Sequence, residues 1–223
     1  MVTMAIAVGL VMVGPLKSTT PLRWDERVVT TVSHHRTSSM NSVTKLFSKL
    51  ADAPSIIAVG LLVAIVLLLA RRRSLAVLVP VVLGFELLSF LSITYPVGRQ
   101  RPDVVHLGSV PSTGSFPSGH IAATIALYGF IALVLFYSKA AMRVVVPFVA
   151  LVVVVAALVG WSRVYRGLHH PLDVAAGALL GMGVLVTFRP LVRNEFAEAV
   201  ARESLSEIPR RSSPTSVAET KPS

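Results

Sequence analysis

The chain has 223 residues, of which 53% are hydrophobic and 14% charged, with a formal net charge of +10 and no cysteine. Its length suits one domain, but the apolar positions run unbroken rather than in stripes. This excludes an ordinary soluble fold and predicts an all-α, polytopic membrane bundle of about six transmembrane helices. The missing cysteine removes disulfides, thiol catalysis and iron–sulfur clusters. The arginines form short scattered clusters with no basic, aromatic-interleaved face, which points to positive loops and an anionic substrate rather than nucleic acid.

Residues 1–16 are apolar and are expected to form a short first span of roughly 24 Å at 1.5 Å per residue. A secretory signal peptide is the competing reading. It is set aside because there is no basic n-region and no small-x-small cleavage site before Lys17. Residues 17–54 are polar; Val28, Val29, Val32 and then Val43, Leu46, Phe47, Leu50 predict interfacial helices lying on the bilayer. The adjacent His34 and His35 read as solvated loop histidines rather than a metal site.

Five further spans are expected at 55–70, 75–95, 119–137, 144–161 and 172–188. Arg71-Arg72-Arg73, then Lys139 with Arg143, then Arg189 with Arg193 follow spans two, four and six, so the positive-inside rule makes those ends cytoplasmic. Residues 1–188 then form the membrane-embedded domain and 189–223 a cytoplasmic polar tail. Within the tail, 189–208 is expected as an amphipathic helix and 209–223, rich in Ser, Pro and Thr, as disordered. Glu86 falls mid-span, roughly 12 Å deeper along its helix than Thr94, and is expected to hydrogen-bond a neighbouring span.

Two polar clusters face the same side, because two spans separate them. In the loop after span five, Asp173 lies four residues after His169, so a helix beginning near Pro171 brings the two side chains together at its first turn. The carboxylate would hold one ring nitrogen of His169 and leave the other to attack, while Arg163 offers a planar fork of donors for phosphate oxygens. In the loop after span three, Pro117-Ser118-Gly119-His120 opens a helix. Its free amides, dipole and hydroxyl make an anion cradle beside His120.

Arg101-Pro102, Pro117-Ser118-Gly119-His120 and Ser162-Arg163-x5-His169-x3-Asp173, in this order, resemble the three-part signature of the type 2 phosphatidic acid phosphatase superfamily. That family includes lipid phosphate phosphatases and undecaprenyl pyrophosphate phosphatases. The resemblance implies a membrane phosphatase acting on a lipid phosphate or polyprenyl diphosphate at the extracytoplasmic face of the cell membrane, without metal or other cofactor. By the same resemblance His169 forms a phosphohistidine, Asp173 orients it and His120 protonates the leaving oxygen. Arg101, Ser118, Gly119 and Arg163 hold the phosphoryl oxygens. Polyprenyl diphosphate, phosphatidylglycerophosphate and phosphatidate all suit such a site, with a slight preference for the polyprenyl carrier on family analogy alone. Lipid phosphotransfer and non-catalytic anion binding are the alternatives.

The sequence departs from the family at one place. The first motif usually begins with a lysine seven residues before the arginine of Arg-Pro, and here that position is Thr94. A charge-assisted bond to phosphate is worth roughly 1.5 to 3 kcal/mol, so its loss is expected to slow turnover by about ten- to a hundredfold. Arg99, in the same loop, is the auxiliary candidate to replace it.

Overall fold

The computed structural model describes residues 1–15 and 19–206, so the expected disordered segment at 209–223 lies outside the described residues. The described residues form helices and loops without strands. In chain order the helices are α1 (Val2–Val13), α2 (Thr20–His34), α3 (Ser38–Leu50), α4 (Ala53–Leu69), α5 (Arg73–Val97), α6 (Gly119–Tyr137), α7 (Met142–Tyr165) and α8 (Pro171–Ser206).

Four helices are individually long and apolar enough to cross a membrane: α5, α6, α7 and the Pro171–Ala199 part of α8. α4 passes that test only together with α3, from which it bends by 45°. α1 has 12 residues, about 18 Å of helix against a hydrocarbon core of about 30 Å. The expected six spans are therefore four full-length helices, one bent pair and one short apolar helix. Leu61, Leu62 and Ile65 on α4, Leu88 on α5 and Val153 and Val154 on α7 are exposed on the flank, which is where a bilayer would meet them.

The α6–α8 pair forms the centre of the bundle. Gly177 and Gly181, four residues apart on α8, lie against the backbone carbonyls of Ser118 and Ala122 on α6. Small residues at this spacing let two helices approach closely where no hydrophobic driving force separates them from lipid. The main core cluster, with Leu75, Val79, Val82, Leu127, Phe130 and Val184, fills the end away from the polar loops. It continues past residue 188 through Val192 and Phe196, and Arg72 lies over the Phe196 ring at 5.0 Å. That extended apolar face explains why α8 runs on through Pro190 as one helix, where a separate amphipathic helix was expected.

α2 and α3 fold over the polar end, with α3 along α7 and α2 reaching α7 and α8. Their exposed residues include Trp24, Val43 and Leu46, whereas Asp25, Thr44 and Ser48 are buried. On α3 the apolar stripe that suggested an interfacial helix thus faces outward, with Thr44 and Ser48 turned inward, whereas on α2 Val29 of the stripe is buried beside Asp25.

Candidate active site

Local structure places each motif residue. α5 ends at Gly98, whose φ of +56° is the left-handed conformation that a helix C-cap uses. α6 starts at Gly119 after an extended Ser118. Pro171 opens α8, where its missing N–H costs nothing, and Asp173 in the first turn accepts a hydrogen bond from the His170 amide at 2.8 Å. The backbone amide of Ser118 donates to the Asp173 carbonyl at 2.9 Å, locking the start of α6 to the start of α8.

These constraints bring Arg101, Gly119, His120, Arg163 and His169 to the wall of one cavity of about 380 Å³. His169 is buried, and its Nδ1 lies 2.7 Å from the Ser115 carbonyl oxygen. A carbonyl only accepts, so Nδ1 carries the hydrogen and Nε2 keeps its lone pair. Burial holds the His169 pKa well below that of a free imidazole, and Arg163, Arg101 and His120 reinforce this against the opposing charge of Asp173. The ring has a fixed tautomer and a free lone pair on Nε2.

Two expected roles need correction. Asp173 was expected to hold His169, yet its Oδ2 is 3.9 Å from His169 Nδ1, too far for a hydrogen bond. Its oxygens are engaged elsewhere: Oδ1 by Arg99 at 2.5 Å, and Oδ2 by the His170 amide and the His170 ring at 3.1 Å. Ser115 does the orienting, and Asp173 acts on His169 through charge. Arg99, the auxiliary phosphate candidate, instead clamps two buried carboxylates, Asp173 and Asp25, the latter at 2.7 Å. A fork already bonded to two anions has little positive charge to offer a third.

Thr94, at the usual lysine position, is fully buried and donates a long hydrogen bond of 3.4 Å to the Gly114 carbonyl. It lies with Arg99 in a separate groove on the other side of Arg101, so neither lines the cavity wall that holds His169.

The anion cradle takes a definite form. Arg101 donates to the Leu168 carbonyl at 2.6 Å and to those of Thr113 and Gly114, while Arg163 donates to Ser48 Oγ at 2.7 Å. Each guanidinium is thereby held rigidly, and the Nε of each, together with Ser118 Oγ, is buried without a protein partner. Unsatisfied buried donors are costly, and the two guanidinium groups lining the cavity beside Gly119 at the α6 N-terminus make an electropositive wall suited to a phosphoryl group.

Four residues of the N-terminal region complete the arrangement, and none was singled out from sequence. Asp52 Oδ1 lies 3.0 Å from His120 Nε2. It stands at the N-cap of α4 but makes no side-chain capping bond, so the one signal in the sequence, an acid just before a Pro-containing helix start, suggested a different use. Ser48 meets Arg163 and Asp25 meets Arg99, also accepting the Leu172 amide at 2.9 Å. Glu26 Oε2 lies 2.7 Å from His170 Nε2. Burial disfavours charge on His170, but carboxylates on both ring nitrogens outweigh it and raise its pKa. With both ring nitrogens held by carboxylates, His170 belongs to a structural chain and has no free lone pair to attack. His35, by contrast, points Nδ1 at the Thr31 carbonyl at 2.8 Å within its own helix.

Comparison with known proteins gives one consistent picture. A family model described as PAP2 superfamily matches residues 61–197. The bacitracin transport permease protein BcrC of Bacillus licheniformis is 36% identical over 108 residues, 48% of this chain and 48% of that protein. The probable diacylglycerol pyrophosphate phosphatase 1 of Schizosaccharomyces pombe is 34% identical over 43% of this chain and 45% of its own length. The putative undecaprenyl-diphosphatase YbjG of Escherichia coli is 31% identical over 58% of this chain and 65% of its own length. The matched region thus spans between 45% and 65% of these relatives. Among solved structures, a transmembrane PAP2-type phosphatidylglycerolphosphate phosphatase from Bacillus subtilis superposes with a TM-score of 0.75 at 24% identity, covering 89% of this chain and 96% of that one. Aquifex aeolicus LpxE superposes at 0.55, also at 24% identity, over 72% and 92%. At that identity the superpositions establish a common fold.

Proposed function

As the chain belongs to the PAP2 superfamily, we propose that it is a multi-pass membrane phosphatase that hydrolyses a lipid phosphate or diphosphate through a phosphohistidine on His169. The observation that carries this reading is the fixed tautomer of His169, with Nδ1–H on the Ser115 carbonyl in a cavity it shares with Arg101, His120 and Arg163.

The Nε2 lone pair attacks phosphorus as the bond to the leaving oxygen breaks. Arg101, Arg163, Ser118 and the Gly119 amide stabilise the charge on the equatorial oxygens. The negative charge of the bound phosphoryl group favours a proton on His120, whose Nε2 is held by Asp52; the ring gives its Nδ1 proton to the leaving oxygen and becomes neutral. A water then loses a proton to His120 as its oxygen bonds phosphorus, the P–N bond breaks and phosphate departs. Phosphotransfer would differ only in the hydroxyl that replaces this water.

The reading extends to sidedness. Arg71, Arg72, Arg73, Lys139 and Arg143 sit at the helix ends opposite the motif loops, which under the positive-inside rule supports an extracytoplasmic site in the cell membrane. Phosphate release from a panel of lipid phosphates and diphosphates in detergent with EDTA, alongside His169→Ala, tests the mechanism. Metal-independent release that vanishes in the variant, with an acid-labile phosphoprotein trapped only in wild type, is the expected result; equal activity in both proteins would overturn it.

A further inference from the structure

We propose that the cavity recognises the lipid part of its substrate through Glu86, and that it therefore takes glycerolipid phosphates, whose ester or glycerol oxygens lie near phosphorus, in preference to isoprenoid diphosphates. The phosphate end of this inference rests on the phosphatase reading; the lipid end rests on a separate observation.

Glu86 lies in the middle of α5, is 4% exposed and lines the same cavity as His169 and Arg101. The expected hydrogen bond to a neighbouring span is not made: its Oε1 is buried without a partner, and among the described residues no cation pairs with it. A buried carboxyl with no partner costs far more charged than neutral, and even the neutral acid loses its hydrogen bonds to water. A leucine would fill the same place in this apolar wall without that cost. As an acid the group offers one O–H donor and an acceptor, which suits an ester carbonyl or a hydroxyl.

Its depth matches a glycerolipid. Phe90, one turn along α5, sets its ring against Gly119, where an added Cβ would stand 3.2 Å from it. Glu86 therefore lies about 6 Å deeper than the phosphate cradle, four residues at 1.5 Å each. In a diacylglycerol phosphate the ester and glycerol oxygens follow phosphorus by a few bonds and have that reach. In an isoprenoid diphosphate the chain beyond the second phosphate is hydrocarbon and leaves Glu86 unsatisfied. Ile57 and Leu87, exposed on the flank and lining the cavity, let the acyl chains leave between α4 and α5 towards the bilayer.

The test compares dioleoyl phosphatidate with farnesyl diphosphate on wild type, Glu86→Leu and Glu86→Gln. Wild type should favour phosphatidate. Glu86→Leu should lower kcat/KM for phosphatidate about tenfold through KM, the worth of one buried hydrogen bond, and leave farnesyl diphosphate within about twofold. Glu86→Gln should keep most of the preference. Equal loss on both lipids, or no loss on phosphatidate, would overturn the assignment. Binding is read apart from turnover as the rise in Tm that each lipid gives the His169→Ala protein, with and without Glu86→Leu. If wild type hydrolyses neither lipid while the phosphatidate-induced rise still depends on Glu86, the catalytic reading fails and the lipid assignment stands. If phosphatidate raises Tm no more than farnesyl diphosphate does, the lipid assignment fails.

Discussion

The three motif segments and the N-terminal sixty residues build one site from opposite materials. The motifs, which the family model covers, supply two histidines and two cations of the cavity wall: His169, His120, Arg101 and Arg163. The N-terminal region, which lies outside that match, supplies mostly anions, and each grips a motif-loop side chain from behind: Asp25 on Arg99, Glu26 on His170, Ser48 on Arg163 and Asp52 on His120. A cluster of cations at the end of an apolar bundle would repel itself without such partners. The lesson is that residues outside the motifs carry the charge balance and the position of the motif side chains.

The largest expected effect is on the motif side. His169→Ala should lower turnover by about 10³- to 10⁴-fold, with Tm nearly unchanged, since the nucleophile is lost but the scaffold is not. Single-turnover phosphate release in detergent checks this.

Arg99→Ala should act on folding instead. It removes the cation shared by the buried Asp25 and Asp173, leaving the first with only the Leu172 amide and the second with His170, a loss of about 3–5 kcal/mol, and the double variant with Asp25→Asn should recover part of the Tm. A raised KM with unchanged Tm would instead make Arg99 a phosphate ligand and undo the division between the two regions.

Asp52→Ala tests whether an N-terminal residue reaches the chemistry. General-acid catalysis is worth about 10²–10⁴-fold, and losing the group that holds His120 should remove about tenfold of it from kcat. The loss should shrink for p-nitrophenyl phosphate, whose leaving group needs no proton. An equal loss on both substrates would make Asp52 merely structural.

The smallest effect is a displacement of the pH profile. A nucleophile whose pKa is lowered by burial stays unprotonated below the ordinary imidazole value of about 6.5. The acid limb of kcat/KM, where protonation of Nε2 stops attack, should therefore fall below that pH. His170, with its pKa raised, should remain protonated above it and shape no acid limb. An acid limb at or above the ordinary value would contradict the buried, carbonyl-held His169.

The all-α class and the positions of the long spans were legible because hydrophobic runs are local and long; 119–137 coincides with α6 as read, whereas the end of α8 lies well beyond the expected 188. The convergence of the motif loops was also legible, since an even number of crossings returns the chain to the same side. The role of Asp173 was not. Four-residue spacing put it near His169, but spacing is silent on the competition from Arg99 and the His170 amide, which engage both oxygens. The stripe on α3 revealed an amphipathic helix without revealing that its polar Thr44 and Ser48 turn inward.

The sequence by itself determined the membrane bundle, the three motifs and their common face, since each depends on composition, periodicity or short spacing. Tertiary structure alone decided who holds whom: Ser115 on His169 across 54 positions, Asp52 on His120 across 68, Glu26 on His170 across 144. Electrostatic and hydrogen-bond partners are chosen by distance in space and by the need to satisfy every buried charge, and neither is written in the order of residues along the chain.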